Sequence, residues 1–329
     1  MPDSDIVRLA LKQKRKILER DAEVMREMAR RWLQVEHALE AEMLKSVVEL
    51  GGAGIVTEAM ILRSTRFQRL MYQSRAEFAK YADFMEEKVG GLQATNAQIG
   101  IDNAMALLKI GAAEAGIAIT FDKLPVSALD AMMGFTADGS PLRNLLMRSY
   151  GEATNGIVQA LVEGLAKGLN PIKIAQAMAD GFGIALDRAM TIARTEQLRA
   201  YRMGTLEQYR ESEVVAQYKR MATKDDTTCL GCLFADGEIF DSAEDFSEHP
   251  NGRCVIIPVV RGAPEPAWEN GKEWFAKQSA ERQLSILGQE RFDLWKSGTA
   301  LDEMSKHVND TTWGGSFVPT PLKELGIRD

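Results

Sequence analysis

The chain has 329 residues, of which 45% are hydrophobic and 26% are charged, a composition typical of folded globular proteins and unlike that of disordered or collagen-like chains. Its 40 Lys and Arg against 47 Asp and Glu give a net charge of -7, which argues against a protein that coats nucleic acid over its whole surface, so any DNA contact must be local. Three cysteines cannot form an even disulfide framework, which favours synthesis in a reducing cytoplasm, and no run of about 18 apolar residues predicts a membrane span.

Long helices are predicted for the first 89 residues. No Gly or Pro occurs at positions 4–50, which predicts one long helix or two nearly continuous ones. Its apolar residues recur every seven positions, at Leu18, Met25, Trp32 and Leu39. We expect this stripe to pack on the next helical segment, at about 56–89, rather than on a second copy of the chain.

Glycines and prolines divide the following region. Gly90 and Gly91 are expected to end the second helical segment, and a mixed stretch with a short strand or loop is predicted up to about residue 136. Ser140-Pro141 and Asn170-Pro171 each combine an N-cap residue with Pro at the first helical position, which predicts helices to about 167 and 180. After Gly181 and Gly183, a third helix is predicted at 185–212.

The residue pattern changes from helical to strand-like after this helix. Residues 214–221 and 255–260 have the β-branched and aromatic content of strands, whereas helical patterns return at about 268–287 and 289–295. The sequence therefore predicts a mainly α fold, a long-helix body with a small α+β, zinc-knuckle-like module near the C-terminus. We expect three regions: an N-terminal helical region at 1–136 with a mixed insertion at about 90–136, a domain of helices, hairpin and knuckle at 137–260, and a C-terminal helical extension at 261–329.

All three cysteines and one histidine lie between the two predicted strands. Cys229, Cys232, His249 and Cys254 have the spacing C-x2-C-x16-H-x4-C, which predicts a structural zinc site in which two residues of one turn and two of a neighbouring loop fill a tetrahedral shell. Such a closed site leaves no metal-bound water for catalysis. The alternative is a set of free thiols and a surface histidine in a reducing cytoplasm.

Acidic residues dominate the same segment. Residues 225–249 contain eight Asp and Glu and no Lys or Arg, which disfavours contact with phosphate. We expect this segment either to bind a protein or to be a solvated acidic loop. A zinc deaminase is excluded, because that chemistry requires an H-x-E motif before its cysteine pair.

Three segments carry a resemblance to a known family: Ile192-Ala193-Arg194-Thr195-Glu196, Asp226-Thr227-Thr228-Cys229-Leu230-Gly231-Cys232 with Asp236-Gly237, and His249-Pro250-Asn251-Gly252-Arg253-Cys254. In this combination the chain resembles the minor head proteins of tailed phages, the head morphogenesis family typified by phage Mu F-like proteins, most strongly at about 139–260. Members commonly carry Cys where this chain has Gly252, which leaves Cys254 as the fourth candidate ligand.

The resemblance implies a minor capsid protein present in few copies. Its implied partners are the portal protein and the major capsid or scaffold protein, and its implied location is the virion, inside the head near the portal, after assembly in the host cytoplasm. It also implies participation in DNA packaging or delivery. The local excess of positive charge around Lys12, Lys14, Arg15 and Lys16 could then contact packaged DNA or an acidic portal surface, or be a solvated helix face.

The motif Arg194-Thr195-Glu196 has a structural interpretation. Adjacent residues on a helix point in different directions, so we expect Arg194 and Glu196 to form separate contacts to the β-hairpin rather than a catalytic pair. Arg253 is the predicted partner of Glu196. We therefore expect no enzyme, although a phage-encoded enzyme or toxin, a nuclease or transferase with its catalytic residues at 262–329, is the alternative class.

Overall fold

The computed structural model describes residues 4–52, 57–118, 122–132, 142–310 and 313–327. The chain is mainly helical, as predicted. Its first two thirds form these helices: α1 (Asp5–Gly52), α2 (Glu58–Arg63), α3 (Thr65–Ala115), a 3-10 helix (Val126–Met132), α4 (Leu142–Ala166) and α5 (Pro171–Glu211). Asn170 caps α5 as expected, because its Oδ1 accepts a hydrogen bond from the Ile172 N–H at 2.8 Å. The predicted helix start at Ser140-Pro141 lies outside the described residues.

Two predicted helix ends are wrong. Helix α3 continues through Gly90 and Gly91, and α5 continues through Gly181 and Gly183. A glycine inside a helix costs about 0.5–1 kcal/mol relative to Ala, and tertiary packing offsets this cost in α3, where residues on both sides of the glycine pair are fully buried. These residues include Tyr81, Met85, Val89 and Ala97.

The chain divides into two compact units, and the helices α1, α3 and α5 each contribute residues to both. One unit comprises Arg20–Gly91 and Gly139–Arg194. In it Trp32 of α1 stacks on Phe78 of α3, with ring centroids 5.8 Å apart, and contacts Tyr81 edge-on at 4.9 Å. The predicted packing of the apolar stripe on the next helical segment is thus confirmed at Trp32, whereas Leu18 packs in the other unit on a cluster that includes Leu107 and Leu198.

The other unit comprises Met1–Glu19, Leu92–Asp138 and Thr195–Asp329. Its antiparallel sheet has the order β2-β1-β3, formed by β1 (Val215–Met221), β2 (Ile239–Asp241) and β3 (Val255–Val260), so both predicted strands are confirmed. A short helix, α6 (Leu230–Phe234), lies between β1 and β2. Leu108 of α3 and Tyr209 of α5 share one apolar core with Tyr218 of β1 and Ile256 of β3.

The C-terminal segment folds around α6. It contains α7 (Gly271–Ala276), α8 (Ala280–Leu287), α9 (Gln289–Lys296), a 3-10 helix (Leu301–Met304), a hairpin of β4 (Ser305–Asp310) and β5 (Gly314–Pro319), and a second 3-10 helix (Leu322–Leu325). The helices were predicted and the hairpin was not. Phe234 of α6 shares a buried cluster with Phe275 and Met304. The division of the chain at residues 136/137 and 260/261 stays a prediction.

Within the described part of the chain, no helix has both the length and the apolar character needed to cross a membrane.

Glycines allow α3 and α5 to touch backbone to backbone. A Cβ built on Gly100 would lie 2.1 Å from the Tyr201 carbonyl oxygen, and one built on Gly204 would lie 2.3 Å from the Ala97 carbonyl oxygen. We predict that Gly204→Ala lowers the free energy of unfolding by about 1–3 kcal/mol, because the helices must move apart. Chemical denaturation followed by circular dichroism measures this change.

Gly90→Ala is the matched control, since nothing lies within 4 Å of a Cβ at that position in α3. It should stabilise the protein by about 0.5–1 kcal/mol. Equal effects of the two substitutions would show that the close approach of the helices is unimportant.

Candidate metal centre

The cysteine pair lies at the start of α6. Cys229 is the N-cap residue of this helix, and its Sγ accepts a hydrogen bond from the Cys232 N–H at 3.2 Å. Before it, Asp225 accepts hydrogen bonds from the Thr227 N–H and the Thr228 hydroxyl, both at 3.0 Å. This capped turn presents both thiols on the same side.

Three of the four predicted ligands converge. Nε2 of His249 lies 3.2 Å from Sγ of Cys229 and 3.0 Å from Sγ of Cys232, and the three atoms all lie within 4.8 Å of one another. Nδ1 of His249 lies 2.8 Å from the Pro250 carbonyl oxygen. A carbonyl can only accept, so this contact favours the tautomer with the proton on Nδ1, which leaves the lone pair of Nε2 facing the thiols.

The fourth predicted ligand, Cys254, belongs to an overlapping group. Its Sγ, Sγ of Cys232 and a carboxylate oxygen of Glu248 lie within 4.8 Å of one another, and all three residues are buried. The structure thus brings Cys254 next to Cys232 rather than into the first group. Glu248 is a site residue that sequence reasoning missed, because it was counted only among the acidic residues of the segment.

Glu248 is the acidic partner of a buried arginine. One carboxylate oxygen accepts from Nη2 of Arg220, and the other lies 3.3 Å from Sγ of Cys232. Burial raises the pKa of Glu248, but the positive charges of Arg220 and Arg202 outweigh this effect and lower the pKa to about 2. The carboxylate is therefore ionised beside the two thiols.

Gly252 makes room for the side chain of Glu248. A Cβ built on Gly252 would lie 1.8 Å from Cγ of Glu248, so no larger residue fits at position 252 while Glu248 holds its place. The carboxylate therefore occupies the space that a side chain at position 252 would need.

The thiols differ in acidity. Hydrogen bonds from Cys232 lower the pKa of Cys229, whereas the bond to Cys229 raises the pKa of Cys232. The pKa of Cys254 is raised by its bond to Cys232 and by burial. A divalent cation would favour the thiolate form of each of them, as metal coordination by cysteine requires.

The motif residues make three different contacts. Nε of Arg194 donates to Asp21 at 2.7 Å. The Thr195 hydroxyl oxygen accepts from the Asn251 N–H at 3.0 Å, which ties α5 to the loop that carries His249. Glu196 is fully buried and pairs with Arg199 at 2.7 Å. The contacts of Arg194 and Glu196 are separate, but they go to α1 and to another residue of α5 rather than to the expected β-hairpin.

The predicted pairing of Glu196 with Arg253 is wrong. Arg253 donates two hydrogen bonds of 2.7 Å to the carboxylate of Asp225. Arg253 therefore ties the loop before β3 to the turn that carries the cysteine pair, whereas Glu196 lies on the buried face of α5.

Most acidic residues of the segment 225–249 have a basic partner within the chain. Five of the eight form ion pairs: Asp225 with Arg253, Asp226 with Arg282, Asp236 with Lys224, Asp245 with Arg210, and Glu248 with Arg220. Of the other three, Asp241 and Glu244 are exposed and Glu238 is half-buried. Much of the charge that made this segment a candidate docking surface is thus balanced internally.

The basic residues of α1 are not equivalent. Lys12, Arg15 and Lys16 are exposed, and their contact with DNA or a portal stays a prediction. Lys14 corrects this expectation, because it is buried and its Nζ donates to the Met221 carbonyl oxygen of β1 at 3.1 Å. Burial lowers the pKa of Lys14 to about 8.

Residues 155–257 match the family described as phage Mu protein F like protein. This segment lies within the region where the resemblance is strongest and includes Cys229, Cys232, His249 and Cys254. The family resemblance is confirmed. No curated protein and no solved structure matches the chain significantly.

The burial of Lys14 predicts unequal chemical reactivity along α1. A short pulse of an amine-acylating reagent should modify Lys14 at least about tenfold more slowly than Lys12 and Lys16, because its amine reacts only when the structure opens. Mass spectrometry of Glu-C fragments measures the three rates. The difference should disappear in denaturant, and fast acylation of Lys14 in the folded protein would contradict its buried position.

Proposed function

Because residues 155–257 carry a phage Mu protein F like segment, we propose that this protein is a minor head protein of a tailed phage or prophage. It joins the head during procapsid assembly through contacts with the portal and with shell or scaffold proteins, and it remains in the virion, with a further role in DNA packaging or delivery. The family match is the observation that carries this proposal. The function consists of binding and needs no catalytic turnover.

The packing of the C-terminal segment supports a structural role. A Cβ built on Gly231 of α6 would lie 2.6 Å from the Phe317 carbonyl oxygen of β5, and one built on Gly271 would lie 1.8 Å from the Leu233 carbonyl oxygen. Gly271 and strand β5 therefore pack directly on the helix that follows Cys229. This arrangement favours a stabilising segment over a separate catalytic domain.

We propose zinc as the metal of the Cys/His group. Ligand atoms around a tetrahedral zinc ion lie roughly 3.5–3.8 Å apart, given Zn–S distances of about 2.3 Å and Zn–N distances of about 2.0–2.1 Å. The distances of 3.0 and 3.2 Å between Nε2 of His249 and the two sulfur atoms are shorter than this spacing, so the ligand atoms must move apart by roughly half an ångström to hold the ion. Cys229, Cys232 and His249 would hold the ion, with Cys254 as the fourth ligand, and the ion would cross-link α6 to the loop before β3.

The zinc proposal predicts the metal content of purified protein. Protein prepared without chelator should contain about one zinc per chain. Cys232→Ser and His249→Ala should remove most of this zinc, whereas His307→Ala in β4 should not. Elemental mass spectrometry measures the content, and absence of zinc in the wild type together with unchanged unfolding in EDTA would refute the proposal.

The variant Cys254→Ser distinguishes a zinc site with four protein ligands from one with three. If Cys254 is the fourth ligand, this variant should lose zinc as Cys232→Ser does. If three residues hold the ion, it should keep zinc. Hydrogen exchange should also rise at residues 225–257 after zinc removal, because the turn and the loop lose their cross-link, and remain unchanged in α1 around Trp32.

Co-expression with head proteins tests the function itself. The chain should enter particles assembled from the portal and shell proteins of the same phage, in few copies, and should be absent from shells assembled without portal. Quantitative mass spectrometry of purified particles measures the copy number. Portal-independent incorporation would contradict the portal contact, and failure of the wild type to enter any particle would contradict the head-protein proposal.

A further inference from the structure

A groove between α1 and α5 lies in the unit formed by residues 20–91 and 139–194. It has a volume of about 740 Å³. Its apolar lining consists of Leu33, Met43, Leu44, Ile172, Ala175 and Ala179. The proposed function makes no use of this groove.

The groove exposes large apolar side chains. Leu33 is 51% exposed, Leu44 is 39% exposed and Ile172 is 60% exposed. Single exposed apolar residues are common, but several along one groove mark an interaction surface. Leu33 and Leu44 lie eleven positions apart on α1, which corresponds to three helical turns and about 16 Å. An apolar strip of this length matches a partner helix of three to four turns.

The rim of the groove is acidic. Glu36 and Glu40 of α1 and Asp180 and Asp187 of α5 line it, and none of the described lining residues is Lys or Arg. Glu36 accepts a hydrogen bond from Nε1 of Trp32 at 2.8 Å, and Glu40 lies 4.0 Å from Nδ1 of His37. None of the four has an ion pair with Lys or Arg among the described residues. Their negative charge is therefore available to a partner.

We propose that this groove binds an amphipathic α-helix of another protein, with apolar residues at positions i, i+3 or i+4, and i+7 and with Lys or Arg on both flanks. The apolar strip supplies the contact area, and the acidic rim selects a basic partner and repels acidic ones. This proposal identifies the chemistry of a partner and stands apart from the metal centre and from the family match.

A second copy of the chain does not fit this description. Its most basic helical stretch is at the start of α1, where the apolar residues Ile6, Val7, Ala10 and Ile17 are already buried within their own unit. Among the described residues of this stretch, Leu11 is the one large apolar side chain that is exposed, at 37%, so the basic side chains there have no apolar strip beside them. We therefore assign the groove to a different protein.

Synthetic peptides of roughly 14 residues, about four helical turns, test the proposal directly. The first has leucines at i, i+3, i+7 and i+10 flanked by lysines, the second replaces each lysine with glutamate, and the third has the composition of the first in an order without amphipathic spacing. Fluorescence anisotropy with the full chain should show binding of the first peptide at least about tenfold tighter than that of the other two. Its affinity should fall as salt is raised.

Variants of exposed groove residues locate the binding. Leu33→Glu, Ile172→Glu and the double charge reversal Glu40→Lys with Asp187→Lys should each weaken the first peptide by about tenfold or more. Tyr72→Glu and Glu87→Lys are the matched controls, since both residues are exposed on α3 outside the groove, and each should leave the affinity within about twofold. Circular dichroism confirms that every variant is folded.

Several outcomes would overturn the proposal. These are absence of binding by the basic amphipathic peptide, equal binding of the acidic or reordered peptide, or equal loss of affinity in the control variants. Light scattering measures the oligomeric state of the wild type and of Ile172→Glu. If the wild type is a dimer and Ile172→Glu is a monomer, a second copy of the chain occupies the groove, and the assignment to a basic helix is wrong.

Discussion

The buried guanidinium of Arg220 is the group on which the packing around the Cys/His cluster depends. Its side chain is 1% exposed and pairs with Glu248, and Nη2 also lies 3.4 Å from Sγ of Cys232. Its Cζ lies 5.1 Å from the ring of Phe246 and 5.2 Å from the ring of Phe317. Removing one partner of such a buried ion pair typically costs about 3–5 kcal/mol. Strand β1, helix α6, the loop before His249 and strand β5 must therefore all be in place together.

The long helix α5 holds the other side of the same loop. Arg202 donates to the carbonyl oxygens of Gly252 and Cys254, and Thr195 accepts from the Asn251 N–H. Arg202 is buried, and burial lowers its pKa, so these carbonyls and the nearby Glu248 carboxylate offset its desolvation. Residues of α5 distant in sequence from His249 thereby fix the loop that presents it. Thr195 thus helps to position the loop that carries the candidate ligand His249.

Local patterns predicted elements, and tertiary contacts decided the rest. The heptad spacing of Trp32 and its neighbours predicted the buried stripe, because periodicity alone determines which helix face is apolar. The same reasoning failed at Gly90 and Gly91, where packing overrides propensity. The spacing of Cys229, Cys232 and His249 predicted their convergence, but the placement of Cys254 beside Glu248 depends on the space left by Gly252 and on Arg220 in β1. Neither dependence is visible in the segment itself.

The net charge of a sequence segment does not reveal which of its acidic residues are paired in the folded chain. Residues 225–249 contain eight acidic residues and no basic one, yet five of them pair with Lys or Arg from elsewhere in the chain. The four acidic residues of the α1–α5 groove are spread over Glu36 to Asp187 and form no comparable cluster in the sequence. A carboxylate that is already bonded to Arg gains little from a basic partner protein, because it must exchange one cationic partner for another. A carboxylate without such a bond has no ion pair to give up. The surface proposed to bind a basic partner is therefore the one where carboxylates without a Lys or Arg partner among the described residues lie beside exposed apolar groups, and only the folded arrangement of the helices defines that place.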